Sequence, residues 1–167
     1  MAIARSFRDL NVYRQARETA QKIFELSRQF PAEERYSLTD QIRRSSRAVK
    51  AMIAEAWGRR RYKAVFVNKL DEALGEATET QSWLDDARDS KYLSDDEFNE
   101  VDSNCIAICR MLSRMIDRAE DFCKHSPATD SRNSTRRRKG VDQRPIIQTR
   151  RVLRVSTSHI SPITSHA

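Results

Sequence analysis

The side chains with the clearest capacity for chemistry are the basic residues between Gln41 and Lys63. On a helix, the stretch QIRRSSRAVKAMIAEAWGRR places apolar residues along one side and Arg and Lys along the other. Clustered basic side chains bind phosphates with little regard to base sequence, and they also pair with acidic groups of a neighbouring subunit. The candidate nucleic-acid-binding residues are Arg43, Arg44, Arg47, Lys50, Arg59, Arg60, Arg61 and Lys63.

Side chains suited to catalysis or metal binding are sparse. The three histidines, His125, His159 and His166, follow the last predicted helix, and there is no phosphate-binding loop, dinucleotide-binding glycine motif or nucleophile motif. Cys105 and Cys109 lie one helical turn apart and are either ligands of a soft metal or ordinary buried thiols; the apolar stripe that includes Cys105 favours thiols. We expect no catalytic activity, no cofactor and no metal.

Two other groups of side chains each have a functional and a structural interpretation. An acidic row forms either a site or, as we favour, a face that is paired or solvated. Trp57 and Trp83 are expected to anchor the core or an interface rather than to stack on a ligand. The acidic row consists of Glu55, Glu72, Glu76 and Glu79.

Charge is distributed unevenly along the chain. Residues 1–69 contain 16 Lys or Arg and 7 Asp or Glu, whereas residues 70–125 contain 6 basic and 15 acidic residues. A subunit that is positive in its first half and negative in its second half attracts a copy of itself head to tail, and such contacts close into rings when the rotation permits. We therefore expect a homo-oligomer.

A boundary falls near His125. All 12 aromatic residues lie at or before Phe122, and three of the four prolines lie beyond it. We predict one domain in residues 1–125 and a disordered, basic tail in residues 126–167. The densest charge run of the tail is a second candidate for nucleic-acid binding: Arg136, Arg137, Arg138 and Lys139.

The sequence predicts a cytoplasmic location. It has no run of 18 apolar residues, and its N-terminus lacks the apolar stretch of a secretory signal. The odd number of cysteines, which include Cys123, favours thiols over disulfides. We expect no membrane partner.

Helical periodicity covers nearly all of residues 6–123 and predicts four helices. The first extends from Phe7 until Pro31 stops it, and the second is capped by Ser37 and ends at Gly58. The third has no clear N-cap, and the fourth starts with a capping box of Ser94 and Glu97 and continues through Phe122. The simplest arrangement of such stripes is an all-α, antiparallel, up-down four-helix bundle.

The order of several short motifs also resembles a known family. FRDLNVY from Phe7, FP at Phe30, YSL at Tyr36, QIRR at Gln41 and IAE followed by WGR from Ile53 are similar to bacterial four-helix-bundle proteins encoded in intervening sequences of 23S ribosomal RNA genes. Ala73, Gly75 and Glu79 continue the match. The sequence departs from the family pattern at Met52, Ala56 and Glu76, where Asn, Gly and Ser are common, which puts any shared site in doubt.

The resemblance implies a left-handed four-helix bundle, commonly assembled as a ring of five, with no established catalysis. It also implies kinship with accessory proteins of diversity-generating retroelements, which bind a reverse transcriptase and nucleic acid. Two functions remain open: an oligomeric accessory protein that binds RNA or DNA, or a structural homo-oligomeric scaffold for a protein partner that binds no nucleic acid.

Overall fold

The computed structural model describes residues 4–123, which belong to the unit Met1–Ala128. Within this range the chain is all-helical, as predicted, and contains no strand. Three short 3-10 helices precede the second long helix: Phe7–Asp9, Ser27–Gln29 and Ala32–Tyr36. The α-helices are α1 (Asn11–Leu26), α2 (Leu38–Arg59), α3 (Lys63–Asp89), α4 (Asp95–Asp117) and the single turn α5 (Ala119–Cys123).

The four long helices pack as a bundle in which α1 contacts α2 and α4, and α3 contacts the same two helices. The largest contact is between α2 and α3. Polar pairs join neighbouring helices in reverse chain order. On α1 and α4 these pairs are Lys22 with Glu100 (2.8 Å) and Gln15 with Asn104 (2.8 Å); on α2 and α3 they are Arg44 with Glu79 (3.1 Å) and Glu55 with Lys69 (3.4 Å).

Apolar residues form two clusters within the bundle. One contains Ile53, Phe66 and Leu112, with the Phe122 ring stacked on Phe66 at 5.8 Å. The other contains Ile42 and the residues packed around it from the remaining helices. Each large aliphatic or aromatic side chain buried in this way stabilises the fold by roughly 1.5–3 kcal/mol. The apolar residues that recur at helical spacing in the sequence therefore form the core.

Two polar residues inside the bundle are also part of this core. Thr80 of α3 donates to Ser45 of α2 at 2.9 Å, and both side chains are buried. The same Thr80 hydroxyl also donates to the backbone carbonyl of Glu76, at 2.8 Å, so its hydrogen is shared between the two acceptors. These bonds satisfy hydroxyls that would otherwise destabilise the core.

The predicted start of α4 is confirmed. Ser94 is the N-cap and its hydroxyl accepts from the backbone N–H of Glu97, whose carboxylate accepts from the backbone N–H of Ser94. The end of this helix differs from the prediction, because α4 stops at Asp117 and the chain continues into α5 after a break at Arg118.

The second helix begins after Ser37, as predicted, but the predicted capping role of Ser37 and the predicted end at Gly58 are wrong. Ser37 occupies the N-cap position, but its hydroxyl bonds to the Glu34 carboxylate rather than capping the helix. Glu34 instead accepts from the backbone N–H of Leu38 at 3.3 Å. Gly58 lies inside α2, which continues to Arg59.

The first predicted helix is also divided. The α-helical part ends at Leu26, and a 3-10 turn, Ser27–Gln29, leads to Phe30 before Pro31. The Ser27 hydroxyl donates to the Phe24 carbonyl at 3.2 Å, which satisfies a carbonyl at the end of the helix. This turn places Ser27 against α2.

Candidate nucleic-acid interface

Arg43 lies where α2 meets the end of α1. Its Nε donates to the Ser27 hydroxyl at 2.7 Å, and its guanidinium carbon is 5.0 Å from the centre of the Phe24 ring. Arg47, one turn further along α2, lies 5.5 Å from the same ring. Two guanidinium groups are therefore held over one half-buried aromatic side chain.

No carboxylate in residues 4–123 forms an ion pair with Arg43 or Arg47. Burial lowers the pKa of Arg43, and the positive charges of Arg47 and Arg28 lower it further. The arginine remains charged, since its ordinary pKa is far above neutrality. A bound anion would stabilise neighbouring cations that have no ion-paired carboxylate.

Three adjoining surface hollows follow the contact between α1 and α2. The first is lined by five basic and two acidic side chains, and the second by four basic side chains and Asp40. The third is lined by three arginines and no acidic side chain. Lys22, which lines the first hollow, pairs with Glu100 of α4. We call the other basic residues that line these hollows from α1, α2 and the connection between them the basic face: Arg14, Arg17, Arg28, Arg35, Arg43, Arg44, Arg47 and Lys50.

Half of the basic face was not among the sequence candidates. Arg14 and Arg17 share a side of α1 with Phe24, because three- and seven-residue steps return to the same side of a helix. That spacing is a signal that sequence reasoning overlooked. Arg28 and Arg35 lie in the connection between α1 and α2, and only the fold brings them beside Arg43.

The structure separates the other candidates, which lie at and after the end of α2, from the basic face. Arg59 lies sixteen residues after Arg43, roughly 24 Å along a helix. It pairs with Glu55 at 2.7 Å, and Lys63 pairs with Glu120. We call this group the distal cluster: Arg59, Arg60, Arg61 and Lys63.

Two members of the distal cluster contact aromatic rings. Arg60 donates to the Trp57 carbonyl at 2.6 Å and its guanidinium lies 4.1 Å from the Trp57 ring. Arg61 lies 4.8 Å from the Tyr62 ring. The eight candidates on and after α2 therefore divide into two groups at different positions along the helix.

The acidic row is largely paired, as expected. Lys69 contacts both Glu72 (2.6 Å) and Glu55 (3.4 Å), and Glu79 contacts Arg44. Glu76 differs, because its Oε2 is buried and has no hydrogen-bond partner among residues 4–123. Burial and the negative charge of Glu79 raise its pKa, against the opposing effect of Arg44.

Of the other departures from the family pattern, Ala56 is fully buried and Met52 packs, partly buried, against the first core cluster. Both tryptophans are half-buried against the core; Trp83 also donates to Glu79 at 3.1 Å. These positions support packing, so no polar site is built from them.

Cysteine placement agrees with the thiol interpretation. Cys105, Cys109 and Cys123 are free cysteines, and burial raises the pKa of Cys105 to about 12. Within residues 4–123, no group of three or more His, Cys, Asp or Glu side chains is arranged to hold a metal ion. His125, His159, His166 and the tail run Arg136 to Lys139 lie outside the described residues.

The described residues form an all-helical bundle with one face rich in basic side chains. A family model described as 23S rRNA-intervening sequence protein matches residues 8–114, and the chain belongs to this family. It is also similar to a crystal structure of a protein of unknown function from the S23 ribosomal protein family of Bacteroides thetaiotaomicron. The two are 29% identical with a TM-score of 0.59, over 64% of this chain and 95% of the other.

No curated protein matches the chain. In the part of the chain that the structure describes, no helix has both the length and the apolar character needed to cross a membrane.

Proposed function

We propose that this protein binds the phosphate backbone of RNA or DNA through its basic face, as a non-catalytic accessory protein in the cytoplasm. The observation that carries the proposal is Arg43, which is partly buried beside Arg47 and Arg28 and has no ion pair with a carboxylate in residues 4–123. A phosphate in the hollow beside it supplies the missing negative charge and accepts hydrogen bonds from the guanidinium groups.

The proposed molecule is a cyclic homopentamer of antiparallel, up-down bundles. Support for the antiparallel course comes from the polar pairs between neighbouring helices, which connect residues in reverse order along the chain. Support for a ring comes from the charge asymmetry between the two halves of the domain. A ring repeats the basic face in every subunit, which makes binding multivalent.

The first test compares three triple variants of the full chain. The basic-face variant is Arg43→Gln, Arg44→Gln and Arg47→Gln; the distal variant is Arg59→Gln, Arg60→Gln and Arg61→Gln; the tail variant is Arg136→Gln, Arg137→Gln and Arg138→Gln. Each removes three charges. Binding to a labelled RNA is measured by fluorescence anisotropy over a range of salt concentrations, with circular dichroism as the check on folding.

We expect the basic-face variant to bind more weakly and to lose about 2 from the log-log salt slope, because each phosphate contact contributes about 0.7 to that slope for a single strand. The distal variant should lose less, since the three hollows are lined by Arg43, Arg44 and Arg47 and by no member of the distal cluster. Unchanged binding in the basic-face variant, with all binding lost in the tail variant, would show that the basic face does not bind the strand.

A structural scaffold is the second candidate function, and the charge asymmetry favours it as well. Positive residues of α1 and α2 and the acidic residues of α3 and α4 are complementary, so they suffice to organise copies of the chain around a protein partner. This function predicts no binding to RNA or DNA even at low salt.

A further inference from the structure

Tyr36 is the most exposed large apolar side chain in the described part of the protein, with 85% of its surface accessible. It ends the 3-10 helix Ala32–Tyr36, between α1 and α2. A tyrosine side chain offers a large rigid ring that buries extensive area when a partner covers it. An aromatic ring presented in this way is a platform for a planar ligand.

The segment that carries Tyr36 is held by hydrogen bonds on both sides of it. The Glu34 carboxylate accepts from the Ser37 hydroxyl, from the backbone N–H of Leu38 at 3.3 Å, and from the Tyr92 hydroxyl at 3.5 Å. The backbone N–H of Ser37 donates to the Glu34 carbonyl at 3.3 Å. Tyr36 is therefore exposed on an ordered turn, so a ligand that stacks on it does not have to order the backbone first.

The exposed ring is continuous with the basic face through Arg35. The Arg35 guanidinium lies 6.0 Å from the centre of the Tyr36 ring, the outer limit of a cation–π contact. Arg35 also lines two of the hollows, in both cases together with Thr39 and Arg43. An aromatic platform and a row of phosphate-binding arginines thus adjoin each other.

We infer that the basic face takes a single-stranded nucleic acid, with one base stacked on Tyr36 and the flanking phosphates beside Arg35 and Arg43. This rests on the proposed function. A backbone-only site needs no aromatic platform, and in a duplex the base faces are covered by their neighbours. Stacking on a protein ring requires a strand whose bases are free, and it tolerates any base because every base has a flat face.

The chain contains a matched control for this inference. Tyr62 is also an exposed tyrosine, at 56%, with an arginine 4.8 Å from its ring. It lies in the connection between α2 and α3, beside the distal cluster and away from the basic face. The two tyrosines differ in their position relative to the hollows, so Tyr62→Ala removes an equivalent ring without altering the proposed platform.

The test measures dissociation constants of the full chain and of Tyr36→Ala, Tyr36→Phe and Tyr62→Ala for labelled probes of about 12 nucleotides at about 50 mM salt. The probes are oligouridylate, oligothymidylate, an abasic strand with the same number of phosphates, and a duplex; polyglutamate serves as an acidic-peptide competitor. Circular dichroism verifies that each variant folds. We expect both substitutions to preserve folding, because the two tyrosine side chains are exposed.

We expect Tyr36→Ala to bind the base-bearing strands roughly 5- to 150-fold more weakly, since that is the effect of one lost base–aromatic contact. Its affinity for the abasic strand and its salt slope should not change. Tyr36→Phe should retain the wild-type affinity, because the ring and not the hydroxyl stacks, and Tyr62→Ala should behave as wild type. Equal affinity for oligouridylate and oligothymidylate would show that the contact depends on the flat face of the base and not on the 2′-hydroxyl of the sugar.

Several results would overturn the inference while leaving the proposed function standing: equal wild-type affinity for abasic and base-bearing strands, preference for the duplex, or no effect of Tyr36→Ala. A loss in Tyr62→Ala as large as in Tyr36→Ala would also overturn it. If polyglutamate displaces the strand at equal charge concentration, the basic face binds acidic proteins rather than a nucleic acid. If no strand binds the wild-type chain, the proposed function fails, and this inference fails with it.

Discussion

At Arg43 an ordinary packing contact and an unusual electrostatic environment coincide. The side chain is fixed by Ser27 and by the Phe24 ring, which explains its orientation but provides no negative charge. Arg47 approaches the same ring, so the two cations repel each other across it. Exposed ion pairs elsewhere on the surface, such as Arg59 with Glu55, contribute little to stability. Under the proposed function, Arg43 and Arg47 are the part of the basic face where we expect a bound phosphate to have the largest effect.

The surroundings of Glu76 disfavour its negative charge. Its buried Oε2 has no hydrogen-bond partner in the part of the chain that the structure describes, and its pKa is raised, mainly by burial and then by Glu79. The folded state therefore holds the Glu76 proton more tightly than the unfolded chain does. Protonated Glu76 therefore contributes stability that is fully present below about pH 4.5, which is its ordinary pKa. This stability is lost as the pH rises through the higher pKa of the folded state.

We predict that Glu76→Gln stabilises the protein at pH 7 by about 1 kcal/mol, because it removes a poorly solvated charge and keeps the shape of the side chain. The gain should shrink as the pH falls and disappear below about 4.5. Urea denaturation of both proteins at several pH values measures it. Asp71→Asn, an exposed acidic residue on the same helix, is the control and should show no such gain. A pH-independent effect of Glu76→Gln would show that the charge is not responsible.

The starts of α2 and α4 show how two similar sequences produce different helix ends. Ser94 and Glu97 satisfy each other's backbone N–H groups, as the capping box requires. At α2 the serine at the equivalent position, Ser37, is bonded to Glu34, a residue that precedes it. Glu34 accepts from Leu38 and so acts on the helix in place of the serine, and these bonds lower its pKa. The two helices thus depend on different side chains for their first turn.

We predict that Ser94→Ala destabilises the protein by about 1 kcal/mol, the usual result of losing an N-cap hydroxyl. Ser37→Ala is the matched comparison and should have the smaller effect, since the Ser37 hydroxyl does not accept from any N–H of α2. Thermal or urea unfolding of the two variants beside the wild type measures the difference. A larger loss for Ser37→Ala would contradict the assignment of the two caps.

Features that depend on residues close together in the sequence could be predicted, whereas features that depend on the packing of distant segments could not. The capping box of Ser94 and the apolar stripes are local patterns, and both appear in the structure. The role of Ser37 was predicted incorrectly because a competing carboxylate, Glu34, lies before the helix rather than within it. Arg28 and Arg35 could not be assigned to the basic face from the sequence, since their place beside Arg43 depends on how α1 packs on α2.

At the scale of the whole molecule, one charge pattern serves two possible interactions. The basic residues of α1 and α2 are complementary both to a nucleic acid and to the acidic residues of α3 and α4 in a neighbouring subunit. Within the subunit, the Arg44–Glu79 pair already joins the two halves at 3.1 Å. Mass and nucleic-acid binding must therefore be measured on the same variants, because a change in either property alone does not distinguish the two uses.

We predict a mass five times that of the 19.4 kDa subunit at micromolar concentration, measured by multi-angle light scattering. Because opposite charges contribute to the proposed head-to-tail contact, high salt should lower the mass. Trp57→Ala and Trp83→Ala test whether half-buried apolar residues support the ring.

The basic-face variant Arg43→Gln, Arg44→Gln and Arg47→Gln should keep the wild-type mass while its affinity for RNA falls, since these arginines face the ligand in our proposal. A monomeric wild-type protein would refute the ring. Loss of mass in the basic-face variant would place the three arginines at the subunit contact instead.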